Sequence, residues 1–202
     1  MQVLYRFIQA VTATITPVYA DTIQIGDKFT DVLRKLQGVL MWRNMRTSIT
    51  SAVTGGASTT SDIAIATLTI PANSLVSGDT IAAKFAGIMT RPVSAGNPIH
   101  YWVKINGTKV AINSNTPTSA QTNQPIWVEF ITAVYSVGAS GVMYTTGRCD
   151  LNITSTPLPR LTSGSSITVS TTATITVTLG FNFNNSNGSN KVTANVATIR
   201  VE

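Results

Sequence analysis

One cysteine and one histidine stand in the 202 residues, Cys149 and His100. A lone cysteine excludes an intrachain disulfide framework of the kind that staples small secreted domains. Arg148 and Asp150 flank it with opposite charges and give no clear stabilisation of a thiolate, so it reads as a half-buried strand thiol. A lone histidine excludes a multi-histidine metal site, and adding Cys149 would still leave too few soft ligands. Charge is also scarce. Charged residues make up 11% of the chain, against about 25% in ordinary soluble domains. Beyond the first sixty residues the acids are Asp62, Asp79, Glu129, Asp150 and the terminal Glu202. Glu129 and Asp150 are the one carboxylate pair to weigh for glycoside hydrolysis, and nothing in the pattern brings them together. There is no Gly-x-Ser-x-Gly elbow, no phosphate-cradling glycine loop and no dinucleotide fingerprint. Catalysis is not expected, and no cofactor is implied. No apolar run approaches the ~20 residues of a membrane-spanning helix.

Ser and Thr fill the space that charge leaves, at about a quarter of the chain, while hydrophobic residues supply 43%. That is enough apolar material for a core, and it argues against disorder. The net charge of +6 would suit nucleic acid, but its distribution does not. Lys84, Arg91, Lys104, Lys109, Arg148, Arg160, Lys191 and Arg200 are scattered singly, and only Lys28, Arg34, Lys35, Arg43 and Arg46 cluster. No nucleic-acid partner is expected.

The N-terminus imitates a secretory signal, with Val18-Tyr19-Ala20 in the place of a cleavage site. Arg6 interrupts the apolar stretch, and Thr12, Thr14 and Thr16 turn the rest into an alternating pattern, so residues 1–20 read as an extended arm. From Asp27 the apolar positions Phe29, Val32, Leu33, Leu36, Val39 and Leu40 follow one helical face. Asp27 and Asp31 near its start and Arg43 and Arg46 near its end suit the helix dipole. This is the one short α-helix expected. Residues 47–62, loosened by Gly55-Gly56, read as a linker or as the lead-in to the first strand of a new domain. The boundary is drawn between an arm-and-helix region, 1–57, and a second domain, 58–202.

The second domain is expected to be all β. Strand signals cover 63–70, 79–89, 99–105, 109–112, 126–135, 142–153 and 192–201, separated by turn residues. Asn106-Gly107 is the sharpest hairpin signal, because a type I′ turn needs positive φ at both positions. From Ile167 to Phe183 one parity is apolar except for Thr171, and Ser and Thr hold the other from 168 to 178, which reads as one long ribbon. Strands at hairpin spacing with no helices between them indicate an antiparallel β-sandwich with jelly-roll-like connections. Asp79, after Gly78, reads as a turn cap, and Glu129 as an outward strand residue. Trp102 and Trp127 read first as core residues. Tyr101, Trp102, Tyr135 and Tyr144 are the rings that would stack on a sugar if exposed. Asn106, Asn152 and Asn187 begin glycosylation triplets that a Thr- and Asn-rich chain produces by chance.

The stretch Leu68-Thr69-Ile70-Pro71-Ala72-Asn73-Ser74-Leu75-Val76-Ser77-Gly78-Asp79-Thr80-Ile81, followed by Val103-Lys104-Ile105-Asn106-Gly107-Thr108, resembles the β-sandwich domains of bacteriophage tail-fibre, head-fibre and minor structural proteins. The resemblance covers about residues 47–202. It implies a virion protein, assembled in the host cytoplasm and commonly homotrimeric, with an N-terminal segment attached to the particle. On that expectation Phe29, Val32, Leu33, Leu36 and Leu40 meet their symmetry mates near a threefold axis. Residues 1–26 then dock onto other virion proteins, and the sandwich serves as a fibre or capsid decoration domain with a further role in recognising a host-surface glycan. The competing reading is a carbohydrate-binding β-sandwich module of a secreted adhesin.

Overall fold

The computed structural model describes residues 45–56, 60–91, 98–115, 120–151, 160–184 and 187–202. All of them fall within one compact unit, Trp42–Glu202. The extended arm, the residues of the expected helix and the proposed interface set Phe29, Val32, Leu33, Leu36 and Leu40 lie outside the described residues. Arg46, placed by the sequence at the end of that helix, instead sits in a strand opposite Arg200.

Eleven strands are described: β1 (Arg46–Ser48), β2 (Val53–Gly56), β3 (Ile63–Ile70), β4 (Thr80–Arg91), β5 (Ile99–Ile105), β6 (Thr108–Asn115), β7 (Gln121–Ser136), β8 (Gly141–Leu151), β9 (Arg160–Val169), β10 (Ile175–Phe183) and β11 (Lys191–Val201). They pair antiparallel in two sheets. A seven-stranded sheet runs β1-β11-β4-β7-β8-β9, with β2 also on β11, and a four-stranded sheet runs β3-β10-β5-β6. The chain changes sheet between β2 and β3, β3 and β4, β4 and β5, β6 and β7, β9 and β10, and β10 and β11, which is the jelly-roll habit. The result is an antiparallel β-sandwich with no helix among the described residues.

Period-2 patterning explains the two layers. In β5, Ile99, Tyr101, Val103 and Ile105 are fully buried, and in β10 Ile175, Val177, Leu179, Phe181 and Phe183 share one parity and one face. From the larger sheet Phe85, Met89, Val128, Phe130, Met143 and Ile199 meet them. Each such side chain contributes about 1.5–3 kcal/mol by leaving water. Phe85 and Tyr101 touch across the layers at 5.8 Å between ring centroids. The Tyr101 hydroxyl donates to Met89 Sδ at 3.6 Å, and burial holds its phenol well above the usual range. Cys149 faces the same core and is fully buried, rather than half-buried.

The hairpin forms as expected. Asn106 and Gly107 adopt φ of 49° and 81°, and β5 pairs with β6 across them. The turn is also pinned to β10, since Thr176 N donates to Asn106 Oδ1 and Asn106 N to the Thr176 carbonyl, both at 2.8 Å. Asp79 caps as read, accepting from Val76 N at 2.9 Å.

Two expectations change. Parts of 47–62, read as a linker or the lead-in to a first strand, are strands: β1 and β2 lie one after the other along the free side of β11. The long ribbon 167–183 is two strands in different sheets, with β9 on β8 and β10 between β3 and β5. The alternation continues through the crossover because both strands turn one face to the same core. It breaks at Ala173, which is exposed where its parity demands burial. Thr171 holds this corner. Its buried hydroxyl accepts from Gly138 N at 2.7 Å, its N–H donates to the Gly138 carbonyl at 2.9 Å, and its own carbonyl accepts from Asn73 N at 2.8 Å. Thr171→Val keeps the shape and removes the hydroxyl, leaving Gly138 N–H without that acceptor. Urea unfolding is expected to show a loss of about 1–3 kcal/mol with the β spectrum intact.

Candidate functional site

Strand β7 lies near the middle of the seven-stranded sheet, and its pleat divides residues 126–135 between two faces. Ile126, Val128, Phe130 and Val134 enter the core, so Trp127, Glu129, Ile131, Ala133 and Tyr135 must leave on the outer face. Three of these are large and exposed: Trp127 is 41% accessible, Ile131 43% and Tyr135 61%. Each is four positions from the next, about 13 Å along a strand, so the row spans about 26 Å. Its flanks stay low on one side, because Ala86 and Ala82 of β4 stand opposite Trp127 and Ile131.

Tyr144 of β8 joins the row. Its ring stacks on Tyr135 with centroids 6.0 Å apart and planes 7° from parallel. Gly164 of β9 gives the phenol its bed, since a Cβ there would lie 2.0 Å from the Tyr144 hydroxyl. A side chain at that position would lift the ring off the sheet. Parity therefore sets which rings are outside, and one missing Cβ sets how Tyr144 lies.

Charged groups interleave with the rings. Glu129 stands between Lys84 of β4 and Arg148 of β8, and the Lys84 ammonium lies 5.8 Å from the Trp127 ring centroid. Arg148 binds Asp150 through two bonds, Nε to Oδ1 at 3.0 Å and NH2 to Oδ2 at 2.6 Å. That hydrogen bonding, then the charge of Asp150, raises the Arg148 pKa, with Glu129 adding to it. The face thus offers flat apolar surfaces beside fixed donors and acceptors, the combination that holds a sugar by its C–H face and its hydroxyls together.

The other named rings lie elsewhere. Tyr101 has no accessible surface and sits in the core, because its parity in β5 faces inward. Trp102 is 1% exposed yet does not belong to the core between the sheets. It takes the outward parity of β5 and is covered on the outer face of the four-stranded sheet. Trp127, read as core, is exposed. Its place was legible from Glu129, already read as outward, since residues two apart on a strand share a face. Ile131 and the bed at Gly164 went unread. Strand pairing, which one chain's pattern does not reveal, brings β8 beside β7 and β9 beside β8.

His100 also projects from β5, with Nδ1 2.7 Å from Ser114 Oγ. Among the described residues no group of three or more His, Cys, Asp or Glu side chains gathers as metal ligands. Burial, and after it the charge of Lys109, lowers the His100 pKa from 6.5. The chain has a single histidine, so an NMR titration reads it without ambiguity. The expected midpoint lies below 6.5, and Lys109→Met is expected to move it upward by removing one of the two causes. An unchanged midpoint in that variant would remove the charge of Lys109 from the account.

No family model and no curated protein sequence matches the chain. Among solved structures, it is similar to the CBM2 module of the evolved Dit of Lactobacillus casei BL23 phage J-1, with 15% identity and a TM-score of 0.27 over 67% of this chain and 68% of that one. It is similar to arcelin-5, a lectin-like defense protein from Phaseolus vulgaris, with 9% identity and a TM-score of 0.37 over 78% and 99%. An engineered GH43 glycoside hydrolase matches with 11% identity and a TM-score of 0.33, over 67% of this chain and 31% of the enzyme. Identities and TM-scores this low leave the chemistry of the site to be argued from its own residues.

Proposed function

We propose that this chain is a structural protein of a bacteriophage virion, a fibre or decoration protein, whose sandwich displays a carbohydrate-recognising face. The observation that carries the recognition role is the exposed row Trp127–Ile131–Tyr135, with Tyr144 stacked on its end. The virion assignment is supported by the resemblance of residues 68–81 and 103–108 to phage fibre and minor structural domains. A carbohydrate-binding module of a secreted adhesin would use the same face. Association with a particle separates the two readings.

The chemistry favours an extended, mostly neutral glycan. A row about 26 Å long exceeds one sugar and suits several, with ring faces at intervals and hydroxyl partners at Glu129 and Arg148. Flat aromatic contact is the main source of affinity in this arrangement, and the ion pairs at its edge give orientation.

The full-length chain is expected to retain host cell-wall polysaccharide in a glycan-panel assay. Trp127→Ala and Tyr144→Ala should each weaken retention about 5- to 30-fold, the effect of truncating an aromatic anchor worth about 1–2 kcal/mol. Thr67→Ala, on the four-stranded sheet, should leave it unchanged. Retention of no glycan by the intact chain would sink the recognition role.

Self-association belongs to the same proposal. The apolar stripe Phe29, Val32, Leu33, Leu36 and Leu40 seals a homotrimer, and residues 1–26 contact other virion proteins. Sedimentation equilibrium of the full chain at micromolar concentration should give three times the chain mass, and Leu33→Asp should give the single mass. A wild-type monomer removes the trimer.

A further inference from the structure

The outer face of the four-stranded sheet carries a second constellation, apart from the aromatic row. Trp102 projects outward from β5 yet is 1% exposed, so something must cover both faces of its indole. Below it is Gly180 of β10, directly opposite in the ladder, where a Cβ would lie 2.4 Å from the ring. Above it are two ammonium groups, Lys104 at 4.8 Å and Lys109 at 5.4 Å from the ring centroid. Asp62 holds both lysines, with Oδ2 2.7 Å from Lys104 Nζ and Oδ1 2.6 Å from Lys109 Nζ. Burial pushes the Asp62 carboxyl up, and the hydrogen bonds and charges of the two lysines outweigh that push, leaving its pKa below the ordinary value.

Two buried polar atoms here have no hydrogen-bond partner among the described residues: the indole N–H of Trp102 and Oδ1 of Asn182. Asn182 stands opposite His100, one outward position from Gly180, so it is the diagonal neighbour of Trp102 at about 7–8 Å between Cα atoms. Buried polar atoms are nearly always paired, so this donor and this acceptor, on neighbouring strands, each call for a partner. A hydroxyl suits either atom, since it can accept from an indole N–H and donate to an amide oxygen.

The roof has its own chemistry. Two lysines share one carboxylate, so one positive charge is left over beside a ring. The three charged side chains keep 24–31% of their surface, which makes the roof accessible and displaceable. An incoming carboxylate can take the place of Asp62 on both ammonium groups while its ring meets the indole. The geometry points to a binding site for a carboxylate-bearing sugar, a uronic acid unit, formed by Trp102, Asn182, Lys104 and Lys109, with Asp62 as the built-in competitor that closes it. The site stands on the opposite sheet from Trp127 and does not depend on the function proposed for that face.

The test is an NMR titration of the 15N-labelled full chain, following the Trp102 indole N–H, which is assigned by its loss in Trp102→Phe. The probes are oligogalacturonate and its methyl ester, which has the same rings without the charge. The acid should shift the indole resonance at millimolar concentration and the ester should not. Asp62→Asn should tighten the apparent Kd about two- to fivefold, the size of a partly exposed ion pair, and Lys104→Met and Lys109→Met should weaken it. A merely structural Asp62 would give no tightening. The shift should persist in Trp127→Ala, which separates this site from the other face. No shift up to about 10 mM, an equal shift with the ester, or weaker binding by Asp62→Asn would each overturn the proposal; the first leaves bound water as the partner of the two atoms.

Discussion

Two sheets share a single apolar layer, and the position of every outward side chain follows from that constraint. A strand places successive side chains on opposite faces, so burying Val128, Phe130 and Val134 forces Trp127, Glu129, Ile131 and Tyr135 to the other side. A slip of one residue in β7 would carry the aromatic row into the core and the core residues into water. The outer face is therefore as firmly specified as the inner one. The same holds in β5, where the fully buried series from Ile99 to Ile105 turns His100, Trp102 and Lys104 outward.

Low charge suits this architecture. A sandwich with many crossovers brings strands distant in sequence into contact, and every charged residue near such a contact has to be desolvated or paired. Threonine avoids that cost: its methyl packs on a pleated surface and its hydroxyl finds a neighbour. Thr132 and Thr145 pair at 2.8 Å inside the sheet, Thr54 and Thr193 at 3.0 Å near its edge, and Thr171 ties the crossover between the sheets. Three lysines lie beside rings: Lys84 by Trp127, and Lys104 and Lys109 by Trp102. Both outer faces thus combine aromatic surface with ionic groups, but they present it differently. One leaves its rings open, and the other keeps its indole under an ionic roof.

Glycine makes both arrangements possible in the same way. Gly164 lets Tyr144 lie flat against β9, and Gly180 lets Trp102 lie flat against β10. In each case the missing Cβ belongs to the neighbouring strand, so the orientation of a ring depends on a residue remote in sequence. Such pairings are set by register, and a bulge shifts them. The irregularity between Leu179 and Gly180 in the β10–β3 ladder sits beside the bed of Trp102.

The amino-acid sequence by itself determined the class of the fold, because period-2 alternation and turn residues are local signals. The Asn106-Gly107 hairpin, the Asp79 cap and the outward Glu129 could all be read from neighbours within a few residues. It also named Tyr135 and Tyr144 as rings to consider. Only the tertiary structure decided that the alternating stretch 167–183 crosses between the sheets, since a strand in either layer shows the same period. It decided as well that residues 46–48 and 53–56 complete an edge, that Trp127 is open and Trp102 covered, and that Asp62 reaches two lysines more than forty residues away. Those facts depend on which strands pair and in what register, and pairing energy is collected between segments that a linear pattern keeps far apart.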